Sequence, residues 1–296
     1  MPQAMTPPSP QPPPLPLTRV GGGKVRDLYH LDDQHWLMVA SDRLSAFDVV
    51  LPTPIPGKGA VLTALSEYWF QTTGQVVANH RQGVDVDLAH HLAPLIQDRN
   101  QYLDLLGRSM AVRRATPLPV EAVVRGYLSG SAWRDYRRSG TVAGIPLPSG
   151  LRQADPLPAP MFTPTTKAPP GQHDQPLTFD QLAAAIGFER AEALRAASLA
   201  LYDQAARRAR PRGIIIADSK FEFGVAEDGQ LLLIDELLTP DSSRFWDSAS
   251  HRPGETPASF DKQFVRDYLE SVGCDKRPPA PVHPEAKLRQ NAAPYP

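Results

Sequence analysis

The order of apolar and polar positions predicts strands in the first part of the chain and mixed helices and strands after it. An apolar run at residues 36–40 follows a polar turn at 32–34, so two strands are predicted around this turn. The glycine-rich segment 21–23 leads into the first of them. Apolar and β-branched runs predict further strands at residues 49–55, 111–114, 120–125, 214–224 and 231–236.

Apolar residues at helical spacing predict several helices. Thr63 is predicted to cap a helix that stops at Gly74. Ser131 is predicted to cap a second, short helix that begins directly after Ser131. A capping-box sequence at 178–181 opens a helical region with a break near Gly187. One face of a C-terminal helix is predicted from Phe260, Phe264, Val265, Tyr268 and Leu269. This order of elements predicts an α+β fold with antiparallel sheets.

Charge and cysteine content exclude several classes of function. A net charge of −1 over 296 residues argues against nucleic-acid binding. The single cysteine, Cys274, excludes an intramolecular disulfide and a cysteine-based zinc cluster, and it favours a reducing, cytoplasmic location. No apolar run reaches the roughly 20 residues that span a bilayer, so neither a membrane partner nor export is expected.

Proline is concentrated in three segments. Residues 1–17 contain eight prolines and almost no charge, which predicts a disordered tail, with a ligand for a proline-binding module as the alternative. The stretch 146–176 is predicted to be a long ordered loop, and the chain after residue 276 to be irregular.

The strongest candidate site is a predicted hairpin. In the strand at 214–224, Asp218, Lys220 and Glu222 share one face because alternate side chains of a strand point the same way. If Asp228-Gly229 is a two-residue turn, Glu222 lies directly opposite Asp235. Opposed carboxylates repel each other, and a divalent cation would remove this cost. The hairpin is therefore interpreted as a magnesium–nucleotide site; the alternative is a solvated, charged strand face.

Two further segments carry candidate anion-binding groups. Residues 21–24 are Gly-Gly-Gly-Lys but lack the spacing of a Walker A loop, so a flexible turn remains the alternative to phosphate binding. Arg125, Ser129 and Ser131 lie at a predicted helix N-terminus, which favours anion binding, although helix capping alone would also explain the serines. The histidines show no metal-ligand spacing, and no nucleophile elbow is present.

Six segments together resemble the SAICAR synthetases. They occur in the family's order over roughly residues 20–270, and collinearity makes the match specific. The segments are GKVRDLY (23–29), SDRLSAFD (41–48), PVEAVVRGYLSGS (119–131), FTPTTKA (162–168), DSKFEFG (218–224) and DELLTPDSSRFWD (235–247).

The resemblance implies an α+β fold with an N-terminal antiparallel sheet region, a larger α/β region and an ATP cleft between them. On this basis residues 18–117 form the first region and 118–296 the second. It also implies an ATP-dependent carboxylate–amine ligase of purine biosynthesis. ATP would phosphorylate the carboxylate of carboxyaminoimidazole ribonucleotide (CAIR), and the amine of L-aspartate would displace the phosphate to give SAICAR.

The resemblance also assigns roles to individual residues. Nucleotide contacts are assigned to Gly23, Lys24, Val25, Glu222 and Asp235, with the last two also holding Mg2+. Ribotide contacts are assigned to Arg125, Ser129, Ser131, Asp218, Lys220, Asp241 and Arg244, of which Asp218, Lys220 and Arg244 are also catalytic candidates. Asp48 and Lys167 are added to the substrate site. Arg113 takes the place of a lysine that often faces the nucleotide in the family.

Two other functions stay open at this point. A small-molecule kinase would share the glycine segment and the magnesium carboxylates but would not need aspartate. A nucleotide-binding module without catalysis would not need Lys220. A monomer is favoured over an oligomer because the long loops would cover association surfaces.

Overall fold

The structure, a computed structural model, describes residues 15–47, 49–81, 88–168, 174–275 and 281. They divide into two compact units that are each discontinuous in sequence. Unit 1 takes the described residues of Met1–Ala64, Gly83–Arg114 and Lys262–Pro296, and unit 2 takes those of Leu65–Gln82 and Ala115–Asp261.

Strands and helices follow one another along the chain in the mixed order predicted. The strands are β1 (Arg19–Gly22), β2 (Arg26–His30), β3 (His35–Ala40), β4 (Ser45–Ala46), β5 (Val49–Val50), β6 (Ser109–Arg113), β7 (Ala115–Tyr127), β8 (Thr141–Val142), β9 (Ile145–Pro146), β10 (Pro156–Phe162), β11 (Thr165–Thr166), β12 (Ile214–Ala226), β13 (Leu231–Ile234) and β14 (Ser243–Asp247). The helices are α1 (Lys58–Thr73), α2 (Leu88–Leu92), α3 (Arg99–Arg108), α4 (Gly130–Ser139), α5 (Phe179–Ile186), α6 (Phe188–Ala209) and α7 (Gln263–Ser271), with a 3₁₀ turn at Arg210–Arg212.

Unit 1 is built on a four-stranded antiparallel sheet in the order β1-β2-β3-β6. The turn predicted at residues 32–34 connects β2 and β3. The Asp32 carboxylate holds this turn by accepting hydrogen bonds from the backbone N–H groups of Gln34 and His35, both at 2.8 Å. One cluster of the core contains Leu37, Val39, Leu92, Ile96 and Leu105.

The first described residues are folded, which differs from the disordered tail predicted over residues 1–17. Leu15 and Leu17 pack against the cluster around Leu37, because this apolar surface offers two leucines a place away from water. Residues 1–14 lie outside the described residues, and the prediction for them stays a prediction.

The predicted C-terminal helix is confirmed as α7, although it begins later than expected. Val265 and Leu269 are fully buried, in a cluster with Leu44 and Leu51 of the same unit. Phe260 precedes the first helical residue and is partly exposed, so it does not belong to the buried helical face.

Helix α1 begins at Lys58, five residues before the predicted cap at Thr63. The cap is supplied by a residue distant in sequence. The Asp42 carboxylate accepts hydrogen bonds from the backbone N–H groups of Gly57 at 3.1 Å and Gly59 at 2.9 Å. A carboxylate placed there satisfies amides that the helix itself leaves unpaired and also favours the positive end of the helix dipole.

The strand predicted over 49–55 is reduced to β5, which pairs only with the equally short β4. Pro52 and Pro54 follow it, and each proline removes a backbone N–H that a longer ladder would need.

Unit 2 contains a six-stranded sheet in which every named strand pair is antiparallel. The central order is β10-β7-β12-β13, with β11 also paired to β7 and β14 to β12. Helix α6 contacts β7, β10 and β12. The helical region breaks at Gly187 as predicted, and the capping box of Thr178 and Gln181 is present at the start of α5.

Two of the strands at the edges of this sheet, β10 and β13, are limited in further pairing in different ways. Strand β10 carries three prolines in seven residues, Pro156, Pro158 and Pro160. Along β13, the backbone of Leu233 exchanges hydrogen bonds with the segment 78–80, donating to Ala78 and accepting from His80, both at 2.9 Å. None of the helices within the described residues is both long and apolar enough to cross a membrane.

Candidate functional site

Charged side chains collect where β7, β12 and β14 run side by side in unit 2. Asp218 of β12 is paired with Arg125 of β7 on one side and with Arg244 of β14 on the other. Four residues further along β12, Glu222 is paired with Glu121 of β7. The predicted shared face of Asp218, Lys220 and Glu222 therefore lies in the middle of a sheet, with partners from both neighbouring strands.

The first part of this face is an arginine–aspartate–arginine cluster. The Asp218 carboxylate accepts a hydrogen bond from Arg125 Nη1 at 3.1 Å and a second from Arg244 Nη1. The side chains of Asp218 and Arg125 are 7% and 10% exposed, so water screens their charges little. The Asp218 carboxylate raises the pKa of Arg244, whereas burial lowers the pKa of Arg125. Two guanidinium groups share the Asp218 carboxylate, and such an arrangement of donors is suited to an anionic ligand.

Arg125 is held on its remaining edges by two hydroxyl groups. Its Nε donates to Thr163 Oγ1 at 3.0 Å, and its Nη2 donates to Ser131 Oγ at 3.2 Å. The prediction that Ser131 caps the helix is wrong, because α4 already begins at Gly130 and Ser129 is its N-cap residue, without a side-chain capping bond. Ser131 instead lies in the first helical turn and faces Arg125. It thus joins the arginine cluster to a helix N-terminus.

The predicted register of the hairpin is wrong by one residue. Glu222 lies opposite Ile234, not opposite Asp235. The loop contains three residues rather than two, because the N–H of Ala226 donates to Gln230 O at 2.9 Å across residues 227–229. Gly229 is the last residue of the loop, and both two-residue and three-residue hairpin loops favour a positive φ at this position. The glycine therefore did not indicate which of the two loop lengths occurs.

The second part of the face is a cluster of lysines and glutamates. Lys220 Nζ lies 2.6 Å from Glu121 Oε1 and 3.7 Å from Glu222 Oε1, and Lys167 Nζ forms an ion pair with Glu222. Burial lowers the pKa of Lys220, but the Glu121 and Glu222 carboxylates outweigh this and hold the pKa above the ordinary lysine value. Burial raises the pKa of Glu121, and the Lys220 ammonium opposes that rise.

Glu121 was not selected from the sequence as a site residue. The available signal was its position four residues before Arg125 on one predicted strand, which places both side chains on the same face. What the sequence could not show is that β12 lies beside β7 with Glu222 directly opposite Glu121. The two opposed carboxylates are therefore on β7 and β12 rather than on the two strands of the hairpin.

Asp235 still belongs to the neighbourhood of Lys220. It follows the last residue of β13 with a positive φ of 64°, and its charge contributes to the raised pKa of Lys220. Within the described residues no group of three or more histidine, cysteine, aspartate or glutamate side chains is arranged to hold a metal ion. Two or three carboxylates fit magnesium only if a nucleotide supplies further oxygen ligands, which is the usual arrangement for this ion.

The nucleotide-site candidates of unit 1 do not all lie together. Gly23, Lys24 and Val25 form the turn between β1 and β2, closed by a hydrogen bond from Gly23 N to Arg26 O at 2.7 Å, and Lys24 is exposed. Arg113 is paired with the first residue of β3, whereas the turn lies beside the last residue of that strand. The two ends of β3 are roughly 17 Å apart at about 3.4 Å per residue. The structure therefore does not bring Arg113 to the glycine turn.

Asp48 and Asp241 are two further candidates for the substrate site. Asp48 lies outside the described residues. Asp241 is half-buried in the loop before β14, where its N–H donates to Thr239 Oγ1 at 3.2 Å. It is three residues before Arg244, so its loop leads directly into the arginine cluster.

Comparisons with known proteins all point to one family. The family model for SAICAR synthetase matches residues 19–280. A phosphoribosylaminoimidazole-succinocarboxamide synthase of Methylococcus capsulatus is 55% identical over 273 residues, which cover 92% of this chain and 90% of that protein. The protein of the same name from Halorhodospira halophila is 53% identical with the same coverage.

A solved structure shows the same likeness in three dimensions. The SAICAR synthase from Saccharomyces cerevisiae, in complex with SAICAR, aligns with a TM-score of 0.84 at 38% identity. The alignment covers 94% of this chain and 92% of the yeast chain. The predicted α+β architecture with antiparallel sheets is thus found both in the elements themselves and in a related fold.

Proposed function

Because the chain belongs to the SAICAR synthetase family, we propose that it joins L-aspartate to CAIR in an ATP-dependent ligation. The products are SAICAR, ADP and phosphate. The observation that carries the assignment is the sequence match. Two relatives with this enzyme's name are 53% and 55% identical to the chain, and the alignments cover nine-tenths of their length.

The reaction needs an activated carboxylate. An ionised carboxylate is a poor electrophile, so an oxygen of the CAIR carboxylate attacks the γ-phosphorus of ATP, and the bond from that phosphorus to the bridging oxygen of ADP breaks. The aspartate amine then attacks the carbonyl carbon of the acyl phosphate, and phosphate leaves with the bonding electrons as the amine loses a proton. Such transfers depend mainly on positioning and on neutralising charge.

The charged face of β12 supports both requirements. We assign the ribotide to the arginine cluster, where Arg125, Ser131 and Arg244 offer donors to its anionic groups. Lys220 is two residues further along the same face of the strand and is held in its charged form by Glu121 and Glu222. We propose that this ammonium stabilises negative charge on the phosphoryl group during transfer.

We propose that Glu222 and Asp235, with Glu121 as a further candidate, hold the magnesium ion of the nucleotide. When bound, the ion would neutralise phosphate charge. The ammonium groups of Lys220 and Lys167 lie against Glu222 and neutralise that carboxylate. The carboxylates of this cluster thus already interact with lysine ammonium groups. A divalent ion bound here would interact with the same carboxylates.

The remaining assignments are also proposals. Gly23, Lys24 and Val25 are proposed nucleotide contacts in unit 1, and Ser129, Lys167, Asp241 and Asp48 are proposed substrate contacts. We also propose a cytoplasmic location and a monomeric state. The monomer would be contradicted if light scattering on the purified protein gave twice the chain mass of 32.4 kDa.

The function is tested by ADP release from purified protein with magnesium-ATP and CAIR, with and without L-aspartate. Release that requires both CAIR and L-aspartate, with L-asparagine inactive as a matched amine, is the expected result. Release without aspartate would indicate a kinase or hydrolysis of the acyl phosphate. Absence of release under every condition would contradict the ligase.

Replacing Gly130 by alanine is expected to weaken ribotide use selectively. Gly130 has a positive φ of 56°, and a Cβ there would lie 2.6 Å from Arg244 Nη2, so the guanidinium must move away. We expect KM for CAIR to rise about tenfold, equivalent to about 1.4 kcal/mol. Steady-state kinetics with CAIR as the varied substrate measures this.

Gly140→Ala is the matched control for this prediction. Gly140 also has a positive φ, 69°, but its Cβ would meet nothing within 4 Å. Both variants place a Cβ at positive φ, which costs about 1–2 kcal/mol, and Gly130→Ala adds the displacement of Arg244. Only Gly130→Ala should change KM for CAIR, and equal kinetic effects in the two variants would contradict the role of Arg244.

A further inference from the structure

We propose that Ser41 and Arg43 are positioning residues for the glycine turn at residues 22–25, and through it for the nucleotide. The inference rests on the proposed nucleotide role of Gly23, Lys24 and Val25. Neither Ser41 nor Arg43 is proposed to contact a reacting group. They act by fixing the backbone that does.

The turn is held by its carbonyl oxygens. The carbonyl oxygen of Val25 accepts two hydrogen bonds from Ser41, one from the backbone N–H at 2.9 Å and one from Oγ at 2.8 Å. The carbonyl oxygen of Lys24 accepts a hydrogen bond from Arg43 Nε at 3.0 Å. Two successive carbonyl groups are therefore tied to the short segment 41–43.

Fixing a carbonyl also fixes the amide beside it. The C=O of one residue and the N–H of the next belong to one planar trans peptide and point in opposite directions. The Val25 N–H therefore points away from Arg43, and the Lys24 side chain is exposed. A backbone amide and a lysine carried by an exposed turn are groups suited to a phosphate ligand.

A buried carboxylate sets the orientation of Arg43. Arg43 Nη1 donates to Asp27 Oδ2 at 2.9 Å, and the other oxygen of Asp27 accepts from Arg19 Nη2 at 2.7 Å. The Asp27 side chain is only 9% exposed. Because the guanidinium is planar, its bond to Asp27 also aims Nε at the Lys24 carbonyl. A lysine could make one of these two contacts but not both.

The glycine at the base of the turn is required by the same contacts. A Cβ on Gly22 would lie 2.7 Å from Asp27 Oδ1 and 2.5 Å from Arg19 Nη2. The carboxylate that orients Arg43 can therefore approach the backbone only because residue 22 has no side chain. Gly22, Asp27 and Arg43 together explain why this segment combines glycine with paired charges.

The test compares nucleotide and ribotide binding by calorimetry in wild type, Arg43→Ala, Arg43→Lys, Ser41→Ala and Lys24→Ala, with ADP and CAIR as separate probes. We expect Arg43→Ala to raise the Kd for ADP about tenfold or more, because a charge-assisted hydrogen bond is lost. We expect Arg43→Lys to raise the Kd for ADP nearly as much and Ser41→Ala to raise it about threefold. The Kd for CAIR should stay within about twofold in all three.

Several outcomes would overturn the proposal. An unchanged Kd for ADP in Arg43→Ala and Arg43→Lys would do so, provided that Lys24→Ala weakens ADP binding. An equal loss of ADP and CAIR binding with a lowered Tm would show a general structural role instead. Wild-type protein that does not bind ADP would contradict the nucleotide assignment itself. Arg207→Ala, on an exposed i,i+4 pair with Asp203, is the control and should change neither Kd.

Discussion

Replacing Lys220 by methionine should lower the rate of ligation by about a hundredfold to a thousandfold while leaving unit 2 folded. Methionine keeps the unbranched stem but removes the charge that lies 2.6 Å from Glu121 Oε1 and 3.7 Å from Glu222 Oε1. The proposed phosphoryl transfer then proceeds beside Glu121 without its ammonium partner and beside Glu222 with Lys167 alone. Single-turnover kinetics with saturating substrates measures the chemical step directly.

The pH dependence sharpens this prediction. Glu121 and Glu222 hold the pKa of Lys220 above its ordinary value, so the ammonium is fully present below the ordinary lysine pKa. Its contribution is lost only as pH rises through the raised pKa. We therefore expect no ionisation of Lys220 in the rate profile between pH 6 and pH 9. Turnover of Lys220→Met within about tenfold of wild type, with normal circular dichroism, would contradict the assigned role.

Replacing Asp218 by asparagine is expected to damage both stability and activity. The substitution is nearly isosteric but leaves Arg125 and Arg244 without the carboxylate that binds both. Removing one partner from a buried ion pair costs about 3–5 kcal/mol, because the other charge stays buried. We expect a loss near the lower limit, since Arg125 keeps its bonds to Thr163 and Ser131. Urea unfolding measures the stability change, and ADP release should fall at least about a hundredfold.

A surface pair provides the matched control for Asp218→Asn. Asp203 pairs with Arg207 on α6 at 3.3 Å, with side chains 52% and 73% exposed. Exposed pairs contribute only about 0–1 kcal/mol, so Asp203→Asn should shift the urea midpoint little and leave ADP release unchanged. If both substitutions shifted the midpoint equally, the buried arginine cluster would not have the importance we give it.

The local pattern of the sequence predicted much of unit 2. Alternation along β12 placed Asp218, Lys220 and Glu222 on one face, and in the structure the alternate residues Ser219, Phe221 and Phe223 are buried. The break at Gly187 was also predicted, because glycine and a capping box are local signals. These features depend on neighbours within a few residues, where backbone preference and side-chain periodicity decide the outcome.

Other features depended on residues far apart in sequence. The cap of α1 comes from Asp42, and no pattern within the helix itself indicates this carboxylate. The opposition of Glu222 to Glu121 depends on which strand lies beside β12, which is decided by the packing of the whole sheet. Arg113 was grouped with the glycine turn by family resemblance, but the register of β3 places it at the other end of the strand.

The proline-rich strand β10 has a consequence for how the chain behaves before and after folding. A sheet with open edges can recruit a strand from another molecule, and hydrogen bonds from backbone N–H groups drive that recruitment. Pro156, Pro158 and Pro160 contribute no such N–H groups, and Leu233 on the opposite outer strand is already bonded to the segment 78–80. Strand β10 and the middle of β13 are thus poor templates for another chain, and we expect these two stretches to resist intermolecular β-pairing.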